Sequence, residues 1–293
     1  LQLFDTSVYV SKNALIQGRF SNDEFENFTL NAEADSVKWA NISFFTNSIS
    51  INANNLKNLN SVLTLGQVQS KQQQYANTAQ TQDLDLIAIW DGEKINFEQK
   101  IEQESSGNRT DIKAQVDFFK DSTILTFQEA KLKALNEEWN ISENNRVLFG
   151  ERRIDIKDLS ITNRDQTISF DGAIAVTKDS SKTLGIEFND VSIANLNTLT
   201  TKSYTGNLNG SVQAQNLYFN PILFGEIKVS DLKVNNFLVG DVNGSLNWND
   251  FNKKFDVNFD VDRIDQKIIQ LEGDFYPSRQ TDQLDLLAWR HGL

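Results

Sequence analysis

The sequence of 293 residues contains no Cys, no Met, two Pro and a single His. Without Cys there is no disulfide framework and no thiolate-bound zinc or iron–sulfur site. His291 stands alone near the end of the sequence, so a His-based catalytic triad or a His-rich metal centre has no material. The missing Met leads to the expectation of an internal or processed piece of a longer protein. Positive charge is scarce as well: 28 Lys and Arg face 40 Asp and Glu, a formal net charge of −12. A nucleic-acid partner, which needs cations to neutralise phosphates, is therefore not expected. No apolar run approaches the ~20 residues that cross a bilayer as a helix. No basic, apolar leader opens the sequence, so any membrane anchor would have to lie outside it.

What is present is alternation. In Phe255 to Asp262 (FDVNFDVD) the odd positions are all apolar and the even positions all Asn or Asp. Phe28–Ala34, Asp83–Ala88, Lys94–Phe97 and Asp111–Phe118 follow the same rule. Period two marks strands with one greasy and one wet face. Helical signals are few: Glu129–Glu138 (EAKLKALNEE) is expected to form a few turns, and Asn55–Leu65 is a weaker candidate. Turns are expected at Asp91-Gly92, Lys178–Lys182 and Asn249–Lys254, and a polar loop at 67–82. The expected fold is all-β: an elongated, mostly antiparallel sheet with few short helices.

Two short patterns recur. An apolar-x-Gly-x-apolar pattern surrounds Gly18, Gly172, Gly210, Gly244 and Gly273. An Asp-apolar-x-apolar pattern starts at Asp158, Asp190 and Asp231. Each glycine shares the parity of its apolar neighbours, which places it inside a strand at a bend, a bulge or a close approach. Asn209-Gly210 and Asn243-Gly244 also fit two-residue hairpin turns, and both readings stand at this point.

Over Ala130–Tyr276 the chain resembles the TamB family (translocation and assembly module), within the AsmA-like, bridge-like lipid-transport proteins. The likeness is carried by Trp139-Asn140-Ile141, Val147-Leu148-Phe149 and Ile154-Asp155-Ile156, followed by the two repeats. Residues 1–130 match in texture only, 131–277 form the family-like repeated region, and 278–293 are a tail. The resemblance implies a β-taco: a sheet folded into an open trough with an apolar concave face. It further implies a segment of a conduit in the periplasm of a Gram-negative envelope, passing phospholipid or another acyl-chain lipid between inner and outer membranes. An outer-membrane insertase-type barrel would be a partner, and outer-membrane protein assembly an associated task. Asp35-Ser36-Val37 and Asp121-Ser122-Thr123 resemble the O-glycosylation sequon of Bacteroidota.

For lipid contact the same-parity apolar residues are the candidates: Ile112, Val116, Ile168, Phe170, Ile174, Val176, Leu208, Val212, Leu246, Val257, Phe259 and Val261. No cofactor, metal ligand or catalytic residue is implied, and the chain is not expected to be an enzyme. Asp256, Asp260 and Asp262 have the chemistry of glycosidase carboxylates or calcium ligands. Their shared parity reads as a solvated strand face. Phe20, Trp39, Trp90, Trp139 and Trp248 suit either apolar packing or a sugar-binding groove. The alternative function is thus an extracellular, β-rich polysaccharide-binding or adhesin module.

Overall fold

A computed structural model describes residues 8–22, 26–56, 61–75, 79–103, 106–177, 182–199, 202–217, 222–249, 251–264, 266–277 and 283–290. The chain is all-β and antiparallel, and divides into two units, residues 1–143 and 144–293. The first holds β1 (Val8–Val10), β2 (Leu15–Asn22), β3 (Glu26–Trp39), β4 (Ile42–Leu56), β5 (Ser61–Tyr75), β6 (Ala79–Trp90), β7 (Lys94–Gln103), β8 (Asn108–Phe119), β9 (Ser122–Ala134) and β10 (Glu137–Ile141). From β2 to β10 each strand pairs with the next, while β1 lies beside the end of β3.

The second unit holds β11 (Arg146–Gly150), β12 (Arg153–Asn163), β13 (Gln166–Ala175), β14 (Thr183–Ser192), β15 (Tyr204–Gln215), β16 (Ile222–Val234), β17 (Phe237–Asn249), β18 (Lys254–Arg263), β19 (Gln266–Phe275) and β20 (Leu284–Arg290), again a simple meander. A short 3₁₀ helix, Ile193–Leu199, is the one helical segment among the described residues. Within each unit, the extensive close backbone approaches run between hydrogen-bonded strands, with one more between the 3₁₀ helix and β15. Each unit is thus a continuous meander, and the area it leaves exposed fits a single layer of sheet.

Surface area carries the same message. The chain exposes 19136 Å², against about 12,600 Å² for a compact monomer of its mass. Even two separate compact bodies of half that mass would expose only about 15,200 Å² together. The fully buried apolar side chains are few, and several are small: Ala114, Ala130, Ala175 and Ala214.

Three expectations are corrected. Glu129–Glu138 is a hairpin, with β9 turning into β10 at Leu135-Asn136, which have φ of 55° and 65°. Two consecutive left-handed residues make the tight turn whose twist suits paired strands. Cross-strand pairing then outweighs helix propensity: the Lys113 ammonium on β8 lies 3.0 Å from the Glu129 carboxylate on β9, with Lys131 of the same strand at 3.4 Å. Asn55–Leu65 ends β4 and begins β5, with 57–60 outside the described residues. In the polar stretch 67–82, residues 67–75 and 79–82 are strand rather than loop, as parts of β5 and β6, and 76–78 lie outside the described residues. Its polar groups are satisfied there: Ser70 Oγ donates to Phe45 C=O, and fully buried Gln73 donates to Ser70 C=O. Expected turns at Asp91-Gly92 and Asn249–Lys254 are observed, whereas most of 178–182 lies outside the described residues.

The Asp repeat has a local cause. Asp158, Asp190 and Asp231 have φ of 53°, 48° and 51°, each at a register shift of its strand. A bulge leaves one residue outside the ladder, and Asp tolerates the left-handed conformation better than most residues. Its freed amide is then capped from the next strand. Asp190 N–H donates to Asn209 Oδ1 at 2.9 Å, and Asp231 N–H to Asp241 Oδ1 at 3.0 Å. That bond, followed by Lys228 beside it, holds the Asp241 carboxyl below the usual carboxylate range. Each bulge shifts the sequence parity of the apolar residues by one. On β16 they run Gly225, Ile227, Val229 before the bulge and Leu232, Val234 after it, so the greasy face is kept.

Candidate functional site

Cross-strand partners in a sheet project to the same face, so the registers trace rows across each unit. In the second unit one row runs Ile161, Ile168, Phe188, Gly210, Ile227, Gly244, Phe259, Leu271, Ala288. The next row, two residues along each strand, runs Leu159, Phe170, Ile186, Val212, Gly225, Leu246, Val257, Gly273, Leu286. A third joins Val191, Leu208, Val229, Val242, Val261 and Ile269. Trp248, Phe255 and Phe275 continue the same face, with Trp248 edge-on to Phe255 at 4.8 Å between ring centres. Among the described residues these rows hold no polar residue until Arg290, which ends the third opposite Ile269.

The other face is the reverse. One of its rows reads Ser160, Ser169, Glu187, Ser211, Glu226, Ser245, Asn258, Glu272, and ends on the exposed Leu287 of β20. Its neighbour carries ion pairs, Lys228 with Asp241 at 3.2 Å and Lys267 with Asp260 at 2.9 Å. Lys254 sits between Asp274 at 2.6 Å and Asp256 at 3.0 Å. The two carboxylates, Asp274 foremost, raise the Lys254 pKa above its ordinary range, while Lys254 lowers that of Asp274. Asp256, Asp260 and Asp262 therefore lie along the wet face, each with a partner; Asn243 Nδ2 donates to Asp262 Oδ2 at 3.0 Å. Among the described residues no three His, Asp or Glu side chains are placed to hold a metal ion.

The first unit repeats the design. One row runs Gly18, Leu30, Ile51, Gly66, Ala88, Phe97, Ala114, Phe127, and a parallel one Phe20, Phe28, Ala53, Thr64, Trp90, Ile95, Val116, Leu125. The row through Ile112 holds Ile16, Ala32, Ile49, Val68, Leu86 and Gln99. Large side chains on this face meet solvent: Phe20 is 64% exposed and Trp90 46%. The face opposite is less uniform, since Leu63, Leu65, Ile87 and Ile89 are exposed there among Asn and Gln.

Of the twelve residues singled out by parity, Ile168, Phe170, Ile174, Leu208, Val212, Leu246, Val257, Phe259 and Val261 fall on the apolar face of the second unit. Ile112 and Val116 lie together on that of the first. Val176 follows β13 in a bend, where its N–H donates to Arg152 C=O at 3.1 Å. Ile186, Ile227 and Leu271 belong to the same rows and were findable by alternation. Val191 and Leu232 were not, because the bulges before them invert the parity. Phe20 and Trp90 share an apolar row, Trp39 is exposed, and Trp139 is buried.

The strand glycines complete this face. Gly210 and Gly244 stand mid-strand, which settles the turn alternative against the hairpin. A Cβ on Gly244 would lie 2.7 Å from the Phe259 ring, so the missing side chain is the space that ring occupies. The site is thus two broad apolar faces, one per unit, that of the first broken by Thr64 and Gln99, with no metal-binding cluster among the described residues of either. No protein-family model, no curated protein and no solved structure matches the chain.

Proposed function

We propose that the chain holds and conducts acyl-chain lipid along its apolar sheet face, as a segment of a lipid conduit in a Gram-negative cell envelope. The observation that supports this most is the pairing of an all-apolar face with a single-layer sheet. A sheet buries its greasy side against another layer when it has one; here the exposed area is larger than that of packed layers. Exposing twelve methylenes of an acyl chain to water costs about 10 kcal/mol at ~0.8 kcal/mol each. An uninterrupted apolar surface removes most of that barrier by solvation alone. It needs no catalytic group and no cofactor. The wet face, with its Asp, Asn and ion pairs, keeps the sheet soluble. The resemblance to the TamB family gives this reading its cellular setting, with phospholipid as cargo, both membranes as termini and an outer-membrane barrel as partner.

The experiment is native mass spectrometry of the purified chain incubated with phospholipid micelles. Adducts of phospholipid mass, several per chain and displaced by excess fatty acid, are expected. A chain that stays free of lipid at every ratio, while binding soluble glycans, would overturn the proposal in favour of a polysaccharide-binding module.

A further inference from the structure

β2 is an edge strand of the first unit and β20 an edge strand of the second, and every residue of Leu15–Phe20 and of Leu284–Trp289 is exposed. Among the described residues β20 pairs only with β19, and β2 only with β3. Proteins usually guard such edges with Lys, Pro or bulges. Neither strand carries Lys or Pro, and neither register shows a bulge. We propose that β20 of one copy of the chain adds antiparallel to β2 of the next, joining copies head to tail through a sheet that continues from one to the other.

Backbone direction permits it. Tyr276 N–H donates to Gln283 C=O at 2.7 Å, so the odd residues of β20 turn their amides to β19. Leu284, Leu286 and Ala288 then turn theirs outward, by the alternation of antiparallel ladders. In the first unit Asp91 N–H donates to Lys94 C=O at 3.2 Å. Counting the same alternation from β6 back through β5, β4 and β3, whose registers there are unshifted, leaves Ile16, Gly18 and Phe20 facing outward. The residues with outward amides on both edges are thus also the residues on the apolar face.

One register satisfies both edges. Setting Leu286 opposite Gly18 places Leu284 on Phe20 and Ala288 on Ile16, all on the apolar face. On the other face it sets Asp285 against Arg19, an ion pair, and Trp289 against Leu15. Gly opposite a large apolar residue repeats what the row already does at Val212–Gly225, Val257–Gly273 and Gly273–Leu286. Main-chain pairing supplies the affinity, and the side-chain match selects a second copy over other strands. The contact is heterologous, so it builds files of copies rather than closed dimers. Each joint would carry the apolar rows onward without a gap.

The sequence has no Cys, which makes the test clean. Chains carrying Arg19→Cys and Asp285→Cys are mixed without lipid and oxidised. These positions form a non-hydrogen-bonded pair, with Cα atoms about 4.5 Å apart, inside the disulfide range. A disulfide-linked heterodimer is expected, at least about tenfold above the pair shifted by one register step, Gln17→Cys with Asp285→Cys, whose Cα separation of roughly 7–8 Å lies beyond disulfide reach. Leu286→Pro, which removes only an outward amide, is expected to abolish assembly in sedimentation while leaving the folded monomer. Three results would each overturn the proposal: equal yields for both cysteine pairs, self-crosslinking of Asp285→Cys alone, or a monomer at all concentrations. Lipid binding is read on the monomer, so its failure and this one are separable.

Discussion

Replacing Phe170, Val212 and Phe259 together with Asp abolishes lipid binding and leaves the strand content intact. The expectation follows from where these residues sit. They occupy adjacent rows of one face, on β13, β15 and β18. None is fully buried, and Phe259 is 37% exposed. If a second layer covered this face, three carboxylates beneath it would each cost several kcal/mol and unfold the unit. On an open single layer they meet water, and the cost falls to the lost contact among neighbours. A lipid loses far more, because an acyl chain cannot cross three charges without leaving its apolar surface. Circular dichroism and native mass spectrometry, on the same sample, read the two halves of the prediction. Global unfolding would mean a closed, self-packed core. By contrast, Val257, which is only 7% exposed, is a site where Asp should destabilise the unit outright.

Gly210→Ala should be among the most damaging single-methyl changes in the chain. Gly210 has φ of +138°, and a Cβ there would lie 2.3 Å from the Glu226 carbonyl oxygen and 2.7 Å from the Ile227 Cα. Both are backbone atoms of the paired strand, so no rotamer change relieves the clash. The strained backbone and the forced separation of β15 from β16 together should cost roughly 3 kcal/mol or more. Ser211→Ala, one residue on and on the wet face, should stay within about 0.5 kcal/mol. Urea unfolding compares the two. A loss below about 1 kcal/mol for Gly210→Ala is what a hairpin-turn glycine or an ordinary strand position would give, and it would contradict the close approach.

The sheet and its two faces were legible because period two needs no tertiary information. Phe255–Asp262 reads as β18 residue by residue, and its odd positions are those on the greasy face. Legibility ended where local and cross-strand preferences disagree. EAKLKALNEE has the composition of a helix, and only its pairing with β8 and the Leu135-Asn136 turn makes it a hairpin. The Gln-rich stretch from 67 looked like a loop because its alternation hides in polar side chains that bond across the ladder. Gln67, for example, donates to Asp85 at 3.0 Å. The Asp repeat was visible, but its meaning was not: a bulge shows in sequence only as a parity slip, and the slip looks like noise until registers are known. The first unit yielded just Ile112 and Val116 for the same reason, since Gln99 and Thr64 sit within its apolar rows.

The central claim is that lipid lies on one face of a single-layer sheet, and β18 tests it most directly. Single cysteines placed in turn at positions 256 to 261, in a chain with no other Cys, are exposed to a phospholipid carrying a thiol-reactive group near its acyl terminus. The account predicts labelling in the phase of the apolar face: strongest at Phe259, which is 37% exposed, weaker at the buried Val257 and Val261, and weakest at Asp256, Asn258 and Asp260. Uniform labelling, or the opposite phase, would contradict it.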